Sequence, residues 1–181
     1  MTVTISEFVA AQAGAEEFVD VNALGNRIRA ERIPNDPPIP LSVTKAQMLD
    51  LLPEMESRFF AARDDTGALV GFARAGIALT GDVDHLAHFD IEIRPESRQQ
   101  RIAAQLLARV VEFAEANDRR LMVAGSSESI PAGAAFLERI GGRPGMENTS
   151  GRLATANHHD GLESRALWAL ETTAVRAYLD G

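Results

Sequence analysis

Residues 90–107 read DIEIRPESRQQRIAAQLL, and this stretch is the most informative part of the sequence. The run 89–93 alternates apolar and acidic residues, which is typical of a β-strand, and Pro95 ends it. Apolar residues then recur at helical spacing, at Ile102, Leu106, Val110 and Phe113. A strand that leads directly into a helix leaves free backbone N–H groups pointing at one spot, and the helix dipole attracts an anion there.

Three arginines crowd this turn, although the chain has a net charge of -8; they are Arg94, Arg98 and Arg101. This favours a pyrophosphate cradle for a nucleotide-like cofactor. An alternative is an ordinary strand-turn-helix with solvated arginines. In that case Ser97 and Gln100 form a capping box, and their side chains satisfy the first N–H groups of the helix.

Composition limits the class of protein. A chain of 181 residues suits one domain with an appendage, and 45% hydrophobic with 24% charged residues is usual for a soluble protein. The absence of cysteine excludes disulfides and thiolate metal sites, and we expect no metal. A pI near 5.0 argues against nucleic acid as a partner. No apolar run approaches the roughly 20 residues that span a bilayer, and the first residues do not resemble a signal peptide. We therefore expect no membrane partner and a cytoplasmic location.

Hydrophobic periodicity predicts alternating strands and helices. The predicted strands are 2–9, 58–63, 68–79, 83–94, 120–126 and, more weakly, 143–153. The predicted helices are 13–33, 44–52, 98–117, 132–140 and 162–179.

This order, with the residues at its joints, resembles the GNAT family of N-acetyltransferases over residues 3–153. Arg98 and Ala103 match the first and last positions of the family's phosphate-turn pattern. Residues 136–141, FLERIG, are similar to a second family signature, and the turn at 64–67 is a weaker match. The resemblance implies an α+β fold in which a twisted, mixed but mostly antiparallel sheet of six to seven strands is flanked by helices.

The resemblance also implies a function, which is acetyl transfer from acetyl-CoA to the amine of a small molecule by direct attack. The cofactor would lie where the fourth and fifth strands splay apart, with its pantetheine arm on the backbone of Ile91 and Ile93. Its pyrophosphate would lie on the turn and the first helical residues: Arg98, Gln99, Gln100, Arg101, Ile102, Ala103 and Ala104.

Three positions depart from the family pattern, and one of them is Ile130, which stands where the family has an asparagine. Arg101 stands where the family has a glycine, and its side chain either crowds the pyrophosphate or pairs with it. Leu137 stands where the family has the tyrosine that protonates the leaving thiolate. The alternative function is therefore a catalytically silent module that binds a partner or an acyl-CoA without turnover.

Asp90 and Glu92 are the candidate catalytic bases, because they alternate with apolar residues and share one face of the fourth strand. Two neighbouring acids beside apolar residues can have raised pKa values. The alternative is that this face is solvated.

We expect residues 1–155 to form the acetyltransferase-like domain and residues 156–181 to form a tail with an amphipathic helix. The tail would dock on its own core or on a partner. The chain resembles the first half of tandem GNAT chains, so the expected partner is a second copy or a second GNAT domain.

Overall fold

A computed structural model describes residues 2–81, 83–150 and 163–181. The strands are β1 (Val3–Glu7), β2 (Met55–Asp64), β3 (Leu69–Ala78), β4 (Leu86–Ile93), β5 (Leu121–Ser127), β6 (Arg143–Ser150) and β7 (Glu163–Glu171). The helices are α1 (Ala15–Arg32), α2 (Leu41–Leu49), α3 (Ile102–Ala116), α4 (Pro131–Arg139) and α5 (Thr172–Asp180).

The strands form one seven-stranded sheet with the order β1-β2-β3-β4-β5-β7-β6. Every neighbouring pair is antiparallel except β4 and β5, which are parallel and are joined by α3. A parallel pair needs such a crossover connection. The predicted α+β fold with a mixed, mostly antiparallel sheet is confirmed.

Alternation along the strands gives the sheet two apolar faces. On one face, Phe59 and Phe72 pack with Phe8 and with the buried residues of α1. Those residues are Phe18, Val21, Leu24 and Ile28, at the spacing expected for one face of a helix. The other face is covered by α3, and Leu137 of α4 and Val175 of α5 belong to the same core.

Two asparagines of α1 hold the loop that follows the helix. Asn22 donates to the carbonyl oxygen of Ile39 (2.9 Å) and to Thr44 Oγ1 (2.8 Å). Asn26 donates to the same carbonyl (3.0 Å) and accepts from the Ile39 N–H (2.6 Å). The proline-rich loop is thereby fixed against α1, and α2 begins at Leu41, three residues earlier than periodicity predicts.

The tail differs from the prediction. Residues 163–171 form β7, and the predicted helix over 162–179 is wrong there, since helix α5 begins at Thr172. Ala166, Trp168 and Leu170 alternate along β7 and pack into the core. The strand pairs with the edge of β5 that would otherwise be free. Residues 151–162, which include the end of the predicted strand 143–153 and the start of the tail, lie outside the described residues.

Strands β4 and β5 separate part-way along the sheet. Their parallel pairing runs from Leu86 with Leu121 to Phe89 with Ala124. Beyond that pair, β4 continues along β3 to Ile93, while β5 continues along β7 to Ser127. An open wedge therefore lies between residues 90–93 and 125–127, at the end of the sheet where α3 begins.

Candidate active site

The turn from β4 to α3 presents a row of unpaired backbone donors. Within the three described ranges, the backbone N–H groups from Gln99 to Ala104 donate no hydrogen bond. The first intrahelical bond is donated by Gln105 to the carbonyl oxygen of Arg101 (3.2 Å). Because Ile102, Ala103 and Ala104 form the first turn of α3, their N–H groups and the helix dipole favour an anion at the same place.

The capping box predicted as an alternative does not form. Ser97 lies in a short 3-10 turn, residues Pro95–Ser97, and is buried. The residue that caps α3 is Arg101, and its side chain makes no capping hydrogen bond. Gln100 reaches back to the carbonyl oxygen of Glu96 at a long 3.4 Å. The donors of the turn are thus not satisfied by these side chains.

The side chain of Arg98 points to α1. Its two terminal nitrogens bind the carboxylate oxygens of Glu31 at 2.7 and 2.5 Å, a bidentate ion pair. This pair raises the pKa of Arg98 and lowers the pKa of Glu31. Arg98 therefore fastens the turn to α1, and its guanidinium already has a carboxylate partner.

Arg101 has the backbone conformation that usually selects glycine. Its φ is 61° and its ψ is 11°, in the left-handed region, and Gln99 has a φ of 62°. Left-handed geometry costs a residue with a Cβ about 1–2 kcal/mol. The Arg101 side chain is exposed. The turn thus keeps the backbone shape of a glycine turn even though an arginine stands there.

The backbone of β4 faces the wedge at Ile91 and Ile93. The Arg94 N–H donates to the carbonyl oxygen of Val70 (2.9 Å), and hydrogen bonding alternates along an antiparallel pair. The backbone groups of Asp90 and Glu92 therefore point to β3, and those of Ile91 and Ile93 point away from it, into the wedge.

Asp90 and Glu92 share one face of β4, as predicted, and both line a cavity of about 270 Å³ between α1, α2 and the sheet. Neutral polar and charged side chains line the same cavity, among them Asn22, Asn26, Arg29, Arg32, Thr44, Gln47 and Arg74. In the β4 pairing with β3, Asp90 lies opposite Arg74, and Glu92 opposite Phe72.

Glu92 is a half-buried acid. Burial raises the pKa of its carboxyl group, the negative charge of Asp90 raises the pKa further, and the charge of Arg32 lowers it in part. Across the described chain, Glu92 makes no hydrogen bond or ion pair. Gly25 of α1 packs beside it, since a Cβ there would lie 3.7 Å from Glu92 Oε2, an ordinary van der Waals contact. A carboxyl group whose pKa is raised is a stronger proton acceptor than a free carboxyl group, which suits a catalytic base.

The helix α4 offers no hydroxyl group, because its sequence is PAGAAFLER. Leu137 is 4% exposed and belongs to the core. Nearby, the indole N–H of Trp168 donates to the hydroxyl oxygen of Ser126 (2.8 Å), which fixes the end of β5 beside the wedge.

Arg74 was not among the residues predicted for the site. Its signal is a lone charged residue in the otherwise apolar strand LVGFARAGIA of β3. A charge inside such a strand is rare unless it lines a site or has a partner.

The profile of the Acetyltransferase (GNAT) family matches residues 26–141, which include the turn, β4 and α4. The chain belongs to this family. No curated protein sequence matches it.

Solved structures share the fold at low identity. An N-acetyltransferase from Staphylococcus aureus Mu50 superposes with a TM-score of 0.70 at 18% identity, covering 95% of this chain and 99% of that chain. A GNAT superfamily phosphinothricin acetyltransferase from Sinorhizobium meliloti, in complex with AcCoA, has a TM-score of 0.69 at 19% identity and coverages of 94% and 89%. A spermidine N-acetyltransferase chimera from Vibrio cholerae and hSSAT has a TM-score of 0.68 at 12% identity, with coverages of 99% for both chains.

The last two names state different acceptors, so the fold alone does not fix the acceptor. No helix in the described part of the chain has the length and hydrophobicity needed to cross a membrane.

Proposed function

We propose that the protein is an acetyl-CoA-dependent N-acetyltransferase that acts on the amine of a small molecule. The observation that carries this proposal is the run of unpaired N–H groups from Gln99 to Ala104 beside the wedge between β4 and β5. A diphosphate on the turn and a pantetheine arm along Ile91 and Ile93 would satisfy both sets of backbone groups.

The reaction needs a base on the acceptor side. Glu92 lies on the part of β4 that borders the wedge, and its carboxylate takes the proton of the ammonium or of the attacking amine. The amine nitrogen attacks the thioester carbonyl carbon, a C–N bond forms, the C–S bond breaks, and the electron pair leaves on the coenzyme A sulfur. Asp90 holds negative charge next to Glu92 and favours its protonated form.

No tyrosine on α4 can donate a proton to the leaving thiolate. A free thiol has a pKa of about 8.5, so coenzyme A thiolate is a tolerable leaving group near neutral pH and can take its proton from water. Loss of a general acid costs about 10² to 10⁴ in rate, and we therefore propose a slow enzyme.

A second function is a silent module that binds acyl-CoA without turnover. The burial of Leu137 at the family's tyrosine position favours it, because no hydroxyl of α4 can reach the cofactor sulfur. The two functions share the same cradle and differ only in chemistry.

Calorimetric titration with acetyl-CoA and a thiol-release assay with a panel of amines test both functions. Side-chain deletions in the turn would miss a backbone cradle, so we choose Ala104→Glu. A carboxylate in the first turn suits the helix dipole and keeps α3 stable, but it repels a diphosphate. We expect Ala104→Glu to weaken acetyl-CoA binding at least tenfold, while the isosteric neutral variant Ala104→Gln binds within about threefold of wild type.

Each outcome selects one account. Binding with thiol release supports the enzyme. Binding without release across the panel supports the silent module. No binding at millimolar acetyl-CoA, or equal binding by Ala104→Glu and Ala104→Gln, would contradict the assignment of the diphosphate site and both proposed functions.

A further inference from the structure

The cavity between α1, α2 and the sheet, which we call the acceptor-side cavity, is lined by three arginines, and only Arg74 among them lies on a strand. The pairing of β2, β3 and β4 places Phe59, Arg74 and Asp90 side by side in one row across the sheet. The adjacent row carries Phe72 and Glu92. Arg74 is thus the direct cross-strand neighbour of Asp90 and lies one row away from Glu92, and it is the only charged side chain of β3.

Arg74 has no polar partner in residues 2–81, 83–150 and 163–181. Its guanidinium lies 5.8 Å from the centre of the Phe59 ring, and this cation–π contact leaves the N–H edges of the fork free. By contrast, Arg29 of the same cavity donates to the carbonyl oxygen of Pro37 (3.2 Å) and pairs with Asp36. A planar fork of N–H donors, half-buried beside an aromatic ring, matches a carboxylate or a phosphorus oxyacid.

The cavity carries charges of both signs. Arg74 lies on the sheet next to Asp90, with Glu92 in the adjacent row, while Arg29 of α1 pairs with Asp36. A ligand with an amine alone would pair with the acids and leave the Arg74 fork unsatisfied, at a cost in desolvation. A ligand with one amine and one acidic group satisfies both signs and adds no net charge.

We propose that the acceptor is a zwitterion, a primary amine next to a carboxylate or similar acid, whose acidic group is held by Arg74. This inference rests on the proposed acetyl transfer and deepens it. Arg74 fixes the acid group on the floor of the cavity, and the amine then lies towards Glu92 and the wedge. Transfer yields the N-acetylated acid and coenzyme A, and the amine proton passes to Glu92.

Matched acceptors test the proposal: L-leucine against isopentylamine, L-methionine against 3-(methylthio)propylamine, and L-phenylalanine against phenethylamine. Each pair differs only by the carboxylate. We expect kcat/KM from thiol release to be at least tenfold higher for the amino acid in at least one pair. A charged hydrogen bond of this kind carries about 10- to 100-fold in affinity.

Arg74→Met should lower kcat/KM for the amino acid by about 10- to 100-fold, mainly through KM, and should leave the plain amine within about threefold. Arg74→Lys keeps the charge without the fork and should recover part of the loss. Arg109→Met is the matched control, because the Arg109 guanidinium lies 5.7 Å from the Phe60 ring on the opposite side of the sheet. Acetyl-CoA affinity should be the same in all of these variants.

The outcomes separate this inference from the proposed function. Equal turnover within every pair, unchanged by Arg74→Met, overturns the zwitterion and leaves the acetyltransferase in place. If no amine is acetylated, the proposed transfer fails, and titration of the three amino acids into coenzyme A-loaded protein then decides about the site. Binding that Arg74→Met abolishes supports the acid-binding role of Arg74, and no binding overturns it.

Discussion

Replacing Arg101 with glycine should stabilise the protein. Arg101 has a φ of 61°, and the left-handed region costs a residue with a Cβ about 1–2 kcal/mol. Glycine removes this strain but makes the unfolded chain more flexible, which costs about 0.4–1 kcal/mol. The Arg101 side chain makes no capping bond and is exposed, so little else is lost. The expected gain is about 0.5–1 kcal/mol, or roughly 1–4 °C in Tm for a chain of this size.

Two neighbouring residues provide the controls in urea unfolding and thermal melting. Gln99 has a φ of 62°, and Gln99→Gly should give a similar gain. Gln100 is not among the described residues with positive φ, and Gln100→Gly should instead destabilise the protein by about 0.4–1 kcal/mol. Losses of equal size for Arg101→Gly and Gln100→Gly would refute the assignment of strain to the left-handed residues.

Three further predictions concern Glu92, the Arg98 pair and Trp168. Burial raises the pKa of Glu92, so its pKa in the folded protein exceeds its pKa in the unfolded chain. The wild type should therefore lose stability relative to Glu92→Gln as pH rises through the folded pKa. Urea unfolding between pH 4 and pH 9 should show this divergence, and a constant difference in the free energy of unfolding would contradict it. Arg98→Glu should cost about 1 kcal/mol by placing two carboxylates together, and the swap with Glu31→Arg should restore most of it in a double-mutant cycle, whereas additive losses would exclude the pairing. Trp168→Phe removes the N–H that Ser126 accepts and should lower stability by about 1–3 kcal/mol, and combination with Ser126→Ala should cost less than the sum of the two single changes.

The joint between β4 and α3 could be predicted from the sequence because it depends on the local pattern of residues. Alternation fixed the shared face of Asp90 and Glu92, and helical spacing identified α3 from Ile102 onwards. The direction of the Arg98 side chain could not be predicted, because its partner Glu31 lies far away in the sequence, on α1. Electrostatics suggested a phosphate for this guanidinium, and tertiary packing supplied a carboxylate instead.

The tail shows where periodicity misleads. Leu167, Leu170, Ala174 and Tyr178 fit helical spacing, but the same residues span the end of β7 and the helix α5. Short apolar runs are ambiguous between the two periods, and the choice here is made by the open edge of β5. Arg74 was missed for a different reason, because its neighbours in the cavity come from strands and helices that are distant in sequence.

The position of β7 between β5 and β6 has a consequence for synthesis on the ribosome. Because β6 emerges before β7, a nascent chain cannot add strands to the sheet in the order in which they are made. Until residues 163–171 are synthesised, β5 has an exposed edge and β6 has no strand with which to pair. Exposed strand edges promote aggregation, so a chain that stalls before β7 is a hazard to the cell and lacks one wall of its own cleft.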